Sequence, residues 1–95
     1  MALYQLANAA KEDLRRIYEY GVIHYGEQAA ETYYRGFFKA FTEIAEDPLR
    51  FPSVEHIRQG YRRAVCGTDS VYFRVRNEQV DIMAILGGQD AEQWL

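Results

Sequence analysis

The chain is 95 residues long, 48% apolar and 26% charged, which predicts one folded domain over residues 1–95 and excludes a disordered chain. Its net charge of −3 lacks the excess positive charge on which non-specific nucleic-acid binding depends, so no direct sequence-specific nucleic-acid binding by this chain alone is expected either. The single cysteine, Cys66, cannot close an internal disulfide, no run reaches the ~18 apolar residues of a membrane span, and no basic segment leads into an apolar run near Met1; the expectation is a cytosolic (cytoplasmic) domain with no membrane contact.

Leu3 to Leu6 reads as a short strand, followed by Asn8, whose side chain suits a helix N-cap. Ala10, Leu14, Ile17, Tyr18, Gly21 and Tyr25 then recur at helical spacing, with Glu12 and Arg16 one turn apart on the outer face. Gly26 ends this helix. A second helix over Glu27–Glu46 carries an apolar stripe through Ala30, Tyr33, Tyr34, Phe37, Phe41, Ile44 and Ala45, and so short a connection predicts antiparallel neighbours. Phe38 lies off the centre of the stripe, a candidate for contact with a partner. Gly36 in mid-helix costs roughly 1 kcal/mol relative to Ala, which points to close packing there.

Pro48 stops the second helix, and residues 47–60 read as a polar loop. Tyr61–Cys66 is the next strand. Val71, Phe73 and Val75 then alternate with Tyr72, Arg74 and Arg76, and Val80, Ile82, Ala84 and Leu86 recur on one face. Tight turns at Gly67-Thr68-Asp69 and Asn77-Glu78 make these strands an antiparallel meander. Its apolar face is expected to pack on the helix pair, leaving a Tyr/Arg face open. The order β-α-α-β-β-β predicts an α+β fold, an antiparallel helix hairpin packed on a small antiparallel sheet.

Catalytic signatures are sparse. Gly87-Gly88 after a strand reads as a turn and not a phosphate loop. His24 and His56 have no Cys or carboxylate cluster at ligand spacing, so no metal and no cofactor are expected. Metal-free RNA cleavage needs a base, an acid and a cation for the developing charge. Arg62, Arg74 and Tyr72 supply part of that set, but at the end of the last strand only Asp90 titrates, so the set is incomplete. Binding is the better expectation. The chain has eight Tyr, five Phe and one Trp, side chains that suit a surface wet when alone and buried in a complex. Nine of its eleven basic residues are Arg; Arg58, Arg62, Arg63, Arg74 and Arg76 form either a solvated sheet edge or a docking surface for carboxylates or phosphates.

Several runs in order carry a family resemblance: A-x-x-D-L at Ala10–Leu14, the Tyr25-Gly26 break, Pro48 closing the second helix, I-R-x-G-Y-R at Ile57–Arg62, Tyr72-Phe73-Arg74, and I-L-G-x-Q-D at Ile85–Asp90. Over almost the whole chain this resembles the ParE toxins of the ParE/RelE superfamily. The resemblance implies a toxin of a type II toxin–antitoxin system that poisons DNA gyrase by trapping it with its DNA cut, and that lacks the nuclease residues of RelE-like relatives. It also implies a ParD-like antitoxin whose flexible C-terminal part folds along the toxin. Target contact is expected near Gly88, Gln89, Asp90 and Trp94, with Arg58, Arg62 and Arg74 alongside. Antitoxin contact is expected at Tyr18, Tyr34, Phe38 and Tyr72. Many members of the family have an arginine where this chain has Gly88, so weakened toxicity is one expectation. The alternatives are a RelE-like ribosome-dependent mRNA endonuclease, or an inactive homologue kept for antitoxin binding and operon regulation.

Overall fold

A computed structural model describes residues 3–88 and 91–95. The elements are β1 (Tyr4–Leu6), α1 (Asn8–Tyr25), α2 (Glu27–Glu46), β2 (Tyr61–Cys66), β3 (Asp69–Arg76), β4 (Gln79–Leu86) and a short α3 (Ala91–Trp94), with a 3-10 turn at Pro48–Arg50. The turn from β1 into α1 sits at Ala7 and not at Asn8. The Ala7 N–H still belongs to the sheet, donating to the Ile82 carbonyl at 2.9 Å, while its carbonyl accepts from the Lys11 N–H at 3.1 Å. Asn8 is thus already helical, and among the described residues no side chain caps α1.

Gly26 alone separates the two helices. Its φ of +95° is backbone that residues with a Cβ rarely adopt. Its N–H closes α1 on the Val22 carbonyl, and its own carbonyl starts α2 by accepting from Ala30. The hairpin is tightest where Gly21 faces Ala30: a Cβ at position 21 would lie 3.1 Å from the Ala30 Cβ. Gly36 plays no such part, since a Cβ there would meet open space.

The sheet is four-stranded in the order β1-β4-β3-β2. The meander is antiparallel as expected, but β1 runs parallel to β4, from Tyr4 opposite Val80 to Leu6 opposite Ile82, so the sheet is mixed. No tight turn joins these two strands, and nothing local forces them to oppose. At the β3–β4 turn Asn77 and Glu78 both have positive φ, 52° and 62°, as a two-residue type I′ hairpin requires.

A bulge interrupts β4. Tyr72 faces Ala84 while Phe73 faces Ile82, leaving Met83 as an extra residue. The alternation inverts there. Val80, Ile82 and Ile85 join the helix-side core, whereas Ala84 and Leu86 turn to the opposite face. The expectation of one face through Val80, Ile82, Ala84 and Leu86 is corrected accordingly.

Phe37, Phe41 and Ile44 of α2 and Ala10 and Leu14 of α1 pack on Val71, Phe73, Ile82 and Ile85 to form the main core. Each fully buried Phe contributes about 2–3 kcal/mol through area removed from water. The other sheet face is not open. Val54, Tyr61, Tyr72, Ala84 and Leu86 form a second cluster there, with Ile57, Ala91 and Leu95 packed against it. The loop is strapped on by Val54 N–H to the Tyr61 carbonyl (2.8 Å) and Arg63 N–H to the Pro52 carbonyl (3.0 Å). Tyr72, expected at an exposed surface, is 6% exposed, because Ala84 and Leu86 supply apolar neighbours on its face.

Candidate binding surfaces

The helix hairpin has two flanks, and each carries a hollow. On one flank Tyr34 and Phe38, one helical turn apart on α2, share a face and meet at a tilt, with ring centroids 5.1 Å apart. Tyr18 of α1 meets Tyr34 edge-on at 5.5 Å. These three half-buried rings line a groove of about 740 Å³ together with Leu6 and Leu14. Its rim is charged: Arg15 pairs with Glu12 and Arg35 with Glu31, and Lys11 lies alongside. Three of the four residues expected to meet an antitoxin thus stand together. Tyr72 does not join them, being buried in the cluster on the far side of the sheet.

The opposite flank holds a cleft of about 580 Å³ between the facing ends of the helices, the β2–β3 turn and the end of β4. Arg16, Tyr20, Gly21, Tyr25, Tyr33, Asp69 and Gly88 line it. Tyr20 and Tyr25 are 56% and 71% exposed, and the His24 ring lies 4.0 Å from that of Tyr20. A wider hollow of about 770 Å³ continues past Tyr25 and Tyr33 to Cys66 and Gly67.

Tyr33 ties α2 to the β2–β3 turn. Its hydroxyl donates to the Asp69 carboxylate at 2.7 Å, with the Cys66 carbonyl a second acceptor at 3.1 Å, and accepts from the Thr68 N–H at 3.1 Å. Gly67 makes room for this contact: a Cβ there would run into the Tyr33 ring, on backbone at φ +61°. Burial first, and then the Asp69 carboxylate, push the Tyr33 phenol up from its ordinary pKa. Burial likewise pushes the Cys66 thiol up, helped by Asp69 and Glu43. Both groups stay protonated at neutral pH.

The end of β4 is held from α1. Asp13 Oδ2 accepts from the Ile85 N–H at 2.9 Å, and Arg16 Nη2 donates to the Ile85 carbonyl at 3.2 Å. Ala10 and Leu14 of the same A-x-x-D-L run are core residues. Gly88 lies beyond it at the cleft, and a Cβ built on it meets nothing within 4 Å.

The other residues expected at the target surface are scattered. Gln89 and Asp90 lie outside the described residues. Trp94 on α3 is 63% exposed. Arg58 donates to the Leu95 carbonyl at 2.5 Å and lies over the Tyr61 ring. Arg62 donates to the Phe51 carbonyl at 2.7 Å. Arg74 pairs with the buried Asp81 at 3.2 Å, as does Arg76. These arginines hold the fold's own carbonyls and carboxylate and do not line the cleft beside Gly88. The charged side chains that do, Arg16 and Asp69, are site residues that sequence reasoning misses; the only hint is the placing of Arg16 three residues after Asp13, on one helix face. Among the described residues no group of three or more His, Cys, Asp or Glu could hold a metal, and no helix is long and apolar enough to cross a membrane.

Comparison with known proteins bears on this arrangement. Toxin ParE1 of Caulobacter vibrioides is 35% identical over 86 residues, covering 90% of this chain and 88% of the relative. Toxin ParE1 of Mycobacterium tuberculosis is 30% identical over 84 residues, covering 87% and 86%. Among solved structures, a chain of the chromosomal ParDE toxin–antitoxin system from P. aeruginosa superposes with a TM-score of 0.80 at 20% identity, over 94% of this chain and 98% of that one. A chain of the RelBE2 toxin–antitoxin complex from Mycobacterium tuberculosis gives 0.59 at 19% identity, over 90% and 96%. These two likenesses speak for the fold. Residues 4–92 match the family model described as the ParE toxin of the type II toxin–antitoxin system parDE, and with that match and the identity to both ParE1 toxins, the chain belongs to the ParE toxin family.

Proposed function

We propose that this toxin acts by binding, holding DNA gyrase on its cut DNA, and that a ParD-like antitoxin silences it by folding into the groove at Tyr18, Tyr34 and Phe38. The observation that carries the antitoxin half is that groove: three half-buried aromatic rings, with Tyr34 touching both Tyr18 and Phe38 and apolar Leu6 and Leu14 beside them. An amphipathic segment laid there buries aromatic anchors of the kind that dominate interfaces. The gyrase half rests on family membership and on the chemistry at the cleft. Of the charged groups lining it, Arg16 is bonded to Asp13 and Ile85, and Asp69 to Tyr33. Both are already engaged by the fold's own groups, which favours a binding role over catalysis. The proposed target contact is at Gly88, Gln89, Asp90 and Trp94, and the proposed site of action is the cytoplasm.

Gyrase incubated with supercoiled plasmid tests the reading. The Gly88→Arg variant, whose side chain has open space to enter, is expected to accumulate linear, gyrase-linked DNA, and the chain with Gly88 to accumulate less. If neither folded protein does so, the gyrase assignment fails. Codon-position cutting of mRNA on ribosomes would then put the RelE-like reading ahead. Retained antitoxin binding without growth arrest would mark an inactive homologue that serves operon regulation.

A further inference from the structure

The A-x-x-D-L run has a task beyond the core. Strand β1 covers β4 only as far as Ile82, where Leu6 pairs and the Ala7 N–H bonds the Ile82 carbonyl. Past that point the outer edge of β4 has no strand beside it among the described residues. At Ile85, helix α1 takes the strand's place: the Asp13 carboxylate accepts the amide hydrogen at 2.9 Å, and the Arg16 guanidinium donates to the carbonyl at 3.2 Å. Asp13 and Arg16 also face each other at 3.5 Å, with the Asp13 side chain 19% exposed. Both backbone polar groups of one residue are thus gripped by a charge pair, and bonds to ionised groups are stronger than neutral ones. Three residues later the chain reaches Gly88 at the cleft.

We infer that Asp13 and Arg16 are a pair of positioning residues for toxicity, fixing the direction in which the chain leaves β4 so that Gly88 meets the target in one orientation. This rests on the target contact lying at that end of the molecule. Asp13 acts through Ile85, and Arg16 does the same while its side chain also lines the cleft. The Ile85 side chain is packed separately, since the main core closes over it with Ala10 and Leu14, so loosening the clamp leaves the core in place.

The test uses the full chain in the Gly88→Arg background, with amide exchange followed by NMR and growth arrest followed on induced expression. Asp13→Ala is expected to speed exchange at Ile85, Gly87 and Gly88 by roughly tenfold or more, with the amides of α2 and β3 unchanged. The inducer level needed for growth arrest should rise by about tenfold in parallel, the size expected when one charge-assisted hydrogen bond is lost. Asp13→Asn, whose side-chain carbonyl still accepts from the Ile85 amide, should restore both. A folded Asp13→Ala variant with loosened Ile85–Gly88 amides and undiminished growth arrest would overturn the positioning role. Exchange that is unchanged, or faster everywhere, would overturn the clamp itself. If Asp13→Ala does not fold, Asp13→Ser, whose side chain is too short to reach the Ile85 amide, reads the same two quantities without touching the cleft lining. If the Gly88→Arg parent arrests no growth, the placement of the target contact has failed, and the clamp is judged on amide exchange alone.

Discussion

Gly67 and Tyr33 occupy the same space by agreement: the turn residue has no side chain where the ring of the helix residue lies. Gly67→Ala therefore sets a methyl against an aromatic ring at a positive φ, and a loss of about 2–4 kcal/mol in urea-unfolding stability is expected. Tyr33→Phe keeps the ring and removes the hydroxyl that joins Thr68, Asp69 and Cys66, for an expected loss of about 1–2 kcal/mol. The pH dependence comes from the raised folded-state values of Tyr33 and Cys66. A raised value means that the folded state holds the proton more tightly. The stability each group contributes is thus fully present below its unfolded value, about 8.5 for a thiol and about 10 for a phenol. It is lost as pH rises through the folded value. Unfolding midpoints should fall on the alkaline side, and less steeply in a Tyr33→Phe, Cys66→Ala double variant; an equally steep fall would show that neither group drives it.

Among the elements, the two mid-helix glycines make a controlled pair. Ala has the same advantage over Gly in either helix, about 1 kcal/mol, but the surroundings differ. Position 36 opens to empty space and position 21 abuts Ala30. Gly36→Ala should raise stability by about 0.5–1 kcal/mol, while Gly21→Val should lower it by about 1–3 kcal/mol by forcing the helices apart; both are read from urea midpoints. The helices are legible in the sequence because their stripes repeat over many turns and end at Gly26 and Pro48, residues with a mechanism for stopping them. The meander is legible from its alternation and its turns. The bulge at Met83 is not, since one extra residue leaves no mark in composition yet exchanges the faces of everything after it. Tyr72 is misread for a related reason. Tyr suits both a wet face and a buried one, and what decides is a loop and a short C-terminal helix with no periodic signal of their own. The parallel pairing of β1 is equally hidden, because three residues specify a strand without specifying its neighbour.

For the molecule as a whole, the two flanks of one helix hairpin serve two candidate surfaces, so they should separate under mutation. Tyr34→Ala and Phe38→Ala are each expected to weaken antitoxin binding by about tenfold or more, the ordinary loss for a buried aromatic anchor. Neither should change growth arrest when the antitoxin is absent. Loss of both properties together in a folded variant would mean a single shared surface. The groove is readable from α-helical phase alone, since Tyr18, Tyr34 and Phe38 lie on two adjacent helices. The cleft is not, because its walls come from remote parts of the chain: Arg16 lies on α1 and Gly88 beyond β4, and Tyr33 and Asp69 are 36 positions apart. Likewise, a run of arginines in sequence says little about a docking surface when Phe51, Asp81 and Leu95 have already engaged them.

The pairing of β1 with β4 also has a consequence in time. Strand β1 must wait for β4, with two helices and two strands made in between, so during synthesis the sheet stays open until β4 has emerged. Non-local pairing of this kind makes closure a late event. The groove between Leu6, Tyr18 and Phe38, which needs β1 in place, is finished at the same moment as the cleft beside Gly88. Both surfaces are therefore completed together, in the single step that pairs β1 with β4.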